Sequence, residues 1–132
     1  MDSTDAISVT GLTAAQTQVQ AAASNLANMD DTAPLPGSGV QGPAPFVPIQ
    51  SGTVSLGDNG VQAQLSASQP GDTPSYDPDS PYADGQGMVA TPDVNVADQT
   101  VAIMQASQQY HASVAALNAE NKMQRTALHM LA

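Results

Sequence analysis

In the first thirty residues the apolar positions Leu12, Ala15, Val19, Ala22, Leu26 and Met29 recur at alternating steps of three and four. That spacing is an a/d seam, narrower than the broad stripe of a globular helix. Ser3 or Thr4 supplies the N-cap chemistry, and the polar run before Pro34 ends the element, so the pattern predicts a helix of roughly 39 Å at 1.5 Å per residue. The far end repeats the device. Val96, Thr100, Ile103, Ser107, Tyr110, Val114, Leu117, Asn121, Gln124, Leu128 and Leu131 keep the same alternation for five heptads. Asn95 with Asp98 three residues on marks its start, and Lys122 and Arg125 sit towards the end where cations suit the helix dipole. Several seam positions here are small or polar (Thr100, Ser107, Asn121, Gln124), which serves register between several helices better than the stability of a free-standing pair.

Proline and glycine divide the chain. All ten prolines lie between residues 34 and 92, and nine of the ten glycines between 37 and 87. The predicted organisation is therefore an N-terminal helix over 1–30, a Pro/Gly-rich middle over 31–92 and a C-terminal helix over 93–132. Within the middle, 53–56 and 61–65 flank Gly57-Asp58-Asn59-Gly60, with Val61, Ala63 and Leu65 alternating, which predicts a short β-hairpin. Phe46, Val47 and Ile49 read as an edge segment, with Pro48 excluding a central strand. Residues 30–45 and 69–81 read as loops. The expected fold class is mainly α: long terminal helices packed as a coiled coil, with a small irregular or hairpin middle.

Composition changes how far that fold stands alone. Leu, Ile, Val and Phe number 23 of 132 residues, and the chain has one Phe, three Tyr and no Trp. For a chain of net charge -10 this is too little large apolar surface for a self-sufficient globule, so order is expected to come from partners. Twelve acidic residues against two cations leave no basic surface for phosphates, which excludes nucleic-acid binding and attachment to anionic membranes. No apolar run approaches the ~18 residues of a membrane span, so membrane insertion is not expected. Residues 1–9 lack the basic and apolar regions of a Sec-type signal. The absence of Cys excludes disulfides and thiolate metal sites.

Candidate chemistry thins out on inspection. Gly37-Ser38-Gly39-Val40-Gln41-Gly42 matches a dinucleotide fingerprint, but prolines bracket it where a strand and a helix are required, so it reads as a loop. Asp77, Asp79 and Asp84 resemble a calcium loop out of register, since Pro81 and Tyr82 occupy the ligand and turn positions. His111 and His129 share a helix face about 27 Å apart at 1.5 Å per residue, too far to hold one ion. With Glu120 the only Glu, no acid/base pair and no Ser-His-Asp set emerges. No enzyme activity, cofactor or metal is expected, and Met104, Met123 and Met130 read as packing residues.

One string is specific. Gly11-Leu12-Thr13-Ala14-Ala15-Gln16 followed by Ala23-Ser24-Asn25-Leu26-Ala27-Asn28 resembles the N-terminal signature of the bacterial flagellar axial proteins, the rod and hook family. Tyr76-Asp77-Pro78, Pro81, Ala83-Asp84, Gly87, Val89, Pro92 and Asp93-Val94-Asn95-Val96 resemble the segment before the last helix of proximal rod proteins of the FlgC type. Ala106-Ser107, Tyr110, Leu117-Asn118 and Lys122-Met123 continue the likeness, with Gln108, Ser113 and Met88 departing from the usual Arg, Asn and aromatic.

The resemblance implies a structural subunit without an active site. Its terminal helices would stack with copies of itself and with other rod subunits into a tube that crosses the periplasm as a drive shaft. It also implies passage in the unfolded state through the flagellar type III export apparatus, without a cleaved signal. The packing residues expected on this basis are Leu12, Val19, Leu26, Met29, Ile103, Tyr110, Val114, Leu117 and Leu128. The alternative from another class is an acidic coiled-coil adaptor or export-linked partner, which would form a stoichiometric soluble complex.

Overall fold

A computed structural model describes residues 3–131; the side chains of Ser3, Thr4 and Leu131, on which the expected cap and the end of the expected seam fall, lie outside what it describes. The elements in order are α1 (Ser3–Ala27), β1 (Ile49–Ser55), a 3-10 turn (Gly57–Asn59), β2 (Val61–Ala67), β3 (Asp72–Tyr76), β4 (Met88–Pro92) and α2 (Val96–Leu131). The Pro-free ends become helices because Ala, Gln and Met lose little side-chain freedom there. Thr10, Thr13 and Thr17, weaker helix formers, turn their hydroxyls back onto the carbonyls of Ile7, Val9 and Thr13. At the start of α2 the Asn95 Oδ1 accepts from the N–H groups of Ala97 at 2.9 Å and Asp98 at 3.4 Å, a side-chain N-cap.

The expectation of a mainly α chain with its terminal helices packed as a coiled coil is overturned. Among the described residues four strands form two two-stranded sheets, β1-β2 and β3-β4. The α2 positions that a coiled coil would bury are not buried: Tyr110 is 37% and Leu128 68% exposed, and every residue from 121 to 130 is exposed. Among the described residues the buried positions of α2 are Ala106 and Glu120, on a line one residue out of step with the expected seam. An Ala-, Ser- and Gln-rich helix has weakly apolar residues all round, so periodicity alone leaves its buried face unspecified.

The strand β3 falls where a loop was expected, and it carries Pro74. The register explains why proline is accepted. Pro74 lies opposite Ala90 in the antiparallel β3-β4 pair. The N–H and C=O of Ala90 turn to its other side, where they exchange hydrogen bonds of 2.8 and 3.0 Å with Ala33. Pro74 and Ala90 are thus a non-hydrogen-bonded pair, and the missing proline N–H faces away from the ladder.

The chain divides into two compact bodies. The first holds the described residues up to Gln20, Ser51–Gln64 and the described residues from Val101 on; the second holds Ala21–Gln50 and Leu65–Thr100. Both cores are made of small residues: Ala14, Ala15 and Ala106 in the first, Ala21, Ala22, Ala33, Val89 and Ala90 in the second. Among the described residues the largest fully buried side chains are Val89 and Asn25.

Candidate functional site

Within the first body α1 and α2 meet through Gly11. A Cβ added there would lie 2.7 Å from the Ser113 Oγ, so the absence of a side chain is what allows the close approach. An isolated Gly inside a helical pattern is the sequence signal for such a contact. Further along, Ala15, Gln16, Val19 and Gln20 of α1 and Ile103, Ser107 and Tyr110 of α2 line an open groove of about 530 Å³. None of the lining residues is charged. Ala15, Val19, Ile103, Ser107 and Tyr110 are positions of the expected seams. They come together along this groove.

The other expected packing residues are placed as follows. Leu12, Leu26, Met29, Val114 and Leu117 are half-buried, as are Val19 and Ile103, while Leu128 stands exposed on the last turns of α2. On the hairpin side of the same body, the Val61 N–H donates to the Thr10 Oγ1 at 3.2 Å. Gly60, at φ +91°, passes so close to α1 that an added Cβ would run into the Thr10 Oγ1 and come within 3.2 Å of the Ile7 Cα. These contacts span some fifty positions of sequence, and nothing in the local pattern points to them.

In the second body the signature string has a definite job. Asn25 is 1% exposed. Its Oδ1 accepts from the Ile49 N–H at 2.8 Å, and its Nδ2 donates to the Ile49 carbonyl at 2.8 Å and to the Gln99 Oε1 at 3.0 Å. Asn28 donates back to the Ser24 carbonyl at 2.7 Å and closes the helix end. Leu26 is half-buried, and Ala23 and Ala27 face outward. Pro92 is buried at the end of β4, Val94 is half-buried and Asn95 caps α2. The carboxylate of Asp84, grouped in sequence with Asp77 and Asp79, accepts from the N–H groups of Gln86 and Met88 at 2.8 and 2.9 Å, holding its own turn together.

Among the described residues no three His, Asp or Glu side chains gather as metal ligands, and no described helix is long and apolar enough to cross a membrane. His111 and His129 are both exposed, the former edge-on to Tyr110 with ring centroids 6.1 Å apart. Eight of the twelve acidic residues and neither cation belong to the second body. Sequence reading missed Gly60, Ser113, Ala106 and Gln99 as contact residues, because each acquires its role only from a distant neighbour.

Small-residue cores, an uncharged groove on the helices and a buried amide tying segments together are the means of holding surfaces, and they define a structural packing subunit. Residues 86–130 match the family model described as flagellar basal body rod FlgEFG protein C-terminal. The flagellar basal-body rod proteins FlgC of Escherichia coli O6:H1 and of Escherichia coli O157:H7 are each 32% identical to this chain over 117 residues, covering 89% of it and 87% of the relative. The chain belongs to the FlgC family of flagellar basal-body rod proteins.

Proposed function

We propose that this structural rod subunit is built into the flagellar axis through its terminal helices, with helices of neighbouring subunits, copies of itself and other rod proteins, lying in the groove between α1 and α2. The observation that carries the reading is that groove. Its lining residues are uncharged, so a neighbour docks there without desolvating a charge, which matters in a chain of net charge -10. Leu12, Leu26, Met29, Val114, Leu117 and the exposed Leu128 supply the remaining contacts. The assembled rod then transmits torque across the periplasm.

The subunit reaches that position through the flagellar type III export apparatus without a cleaved signal. Its small-residue cores support this, since a chain that buries few large side chains stays unfolded at little cost until neighbours complete it. Membership of a rod-protein family weighs against the adaptor alternative.

The test is to isolate basal bodies by detergent extraction and identify the chain by mass spectrometry, beside cells carrying Val19→Asp or Ile103→Asp. The native chain is expected in the basal bodies. Each variant is expected to leave the cytoplasm yet fail to enter the rod, because a buried carboxylate in the groove costs several kcal/mol. A native chain found only in a soluble one-to-one complex, or rods that contain Val19→Asp, refutes the proposal.

A further inference from the structure

We infer that Asn25 is a positioning residue for rod assembly, acting as a surrogate strand residue that sets the register of β1 and of the first turn of α2 against α1. The inference rests on the reading of the chain as a rod subunit and deepens it. The carboxamide gives Ile49 the pair of bonds, N–H to O and C=O to H–N, that one residue of an antiparallel ladder gives its partner. Its second N–H goes to Gln99. Both donors and the oxygen are thereby used, and they join positions 24 and 74 residues away.

The surroundings explain why a polar group stands here. The nearby buried side chains of α1 are Ala21 and Ala22, whose contacts change little when a helix slides or rotates. A stripe of alanines therefore discriminates poorly between registers. A buried amide with three directed bonds discriminates strongly, since any slip leaves donors and acceptors unpaired. The device fixes how these segments are arranged within the second body, and with that the surface this body offers to a neighbour.

The directions of the bonds make the inference testable by a pattern of variants. Position 99 need only accept, so Gln99→Glu is tolerated, whereas Gln99→Lys sets an ammonium against the Asn25 Nδ2. Asn25→Asp places a carboxylate against the Ile49 carbonyl, which cannot turn away. The Gln99→Lys change then sets an ammonium against that carboxylate, which relieves the oxygen–oxygen contact at position 99 and compensates the buried charge, while the contact with the Ile49 carbonyl remains. Each full-length variant is expressed in motile cells, and its amount in purified basal bodies is compared with its exported amount.

Asn25→Asp and Gln99→Lys are each expected to fall at least about tenfold in incorporation, Gln99→Glu to stay near the native level, and the double variant Asn25→Asp with Gln99→Lys to recover part of the loss. General loss of stability does not produce that recovery. Native incorporation of Asn25→Asp, equal damage from Gln99→Glu and Gln99→Lys, or a double variant no better than Asn25→Asp alone overturns the inference. If the unaltered chain is itself absent from basal bodies, the rod reading fails instead.

Discussion

Replacing Gly60 with alanine tests whether the hairpin is anchored to α1 or merely lies near it. Two separate penalties arise. Gly60 has φ +91° and ψ -135°, a region open to glycine alone, and an L-residue there costs about 1–3 kcal/mol. The new Cβ would also meet the Thr10 Oγ1 and the Ile7 backbone. Thr10 escapes only by rotating, which forfeits its bond from the Val61 N–H, about 0.5–1.5 kcal/mol. The Ile7 Cα belongs to a helix, so the few tenths of an ångström that it must yield disturb α1 itself. Gly57 provides the control, being at φ +63° with nothing within 4 Å of its added Cβ, so Gly57→Ala carries only the left-handed strain of about 1–2 kcal/mol. The loss of unfolded-state freedom is common to both changes and cancels.

Taken at mid-range, these contributions leave Gly60→Ala about 1.5 kcal/mol worse than Gly57→Ala, which corresponds to about tenfold in an equilibrium ratio. Each variant is expressed together with the native chain, and the two forms are counted by mass spectrometry in purified basal bodies and in the exported pool. Gly60→Ala is expected to be depleted from the rod about tenfold relative to Gly57→Ala, with export of both unchanged. Equal incorporation of the two variants would refute the anchoring of the hairpin to α1.

Three further outcomes are expected. Gly11→Val overpacks the contact with Ser113 by about 1–3 kcal/mol, and Ser113→Gly restores part of the lost incorporation; a double variant no better than Gly11→Val places the strain elsewhere. Asn95→Ala removes the cap of α2 at a cost of about 1 kcal/mol while Asn95→Ser retains it, so swarm diameter should fall for Ala only. A three-residue insertion after Ser38, between two glycines whose surroundings are open, should leave motility intact. The same insertion after Val114 turns everything beyond it by about 60° and shifts it about 4.5 Å, and should abolish motility; equal effects would contradict the assignment of the helices to packing.

The features that the sequence determined alone are local ones. Proline removes a backbone donor and fixes φ, so its confinement to residues 34–92 settles where a long helix is possible. Gly57 to Gly60 form a turn for the same conformational reasons that made them legible, and Asn95 caps a helix because its side chain reaches N–H groups two and three residues away. The Ala-Ser-Asn-Leu-Ala-Asn string pointed to the family, although not to what its asparagine does.

What tertiary structure decided is the set of partners. Asn25 pairs with Ile49 and Gln99, and Ala33 completes the other edge of β4; neither pairing leaves a trace in local periodicity. The buried face of α2 passes through Ala106 instead of the longer apolar side chains. Where alanine dominates, every face of a helix is nearly equally apolar, and the neighbour that approaches most closely, admitted here by Gly11, chooses which face is covered.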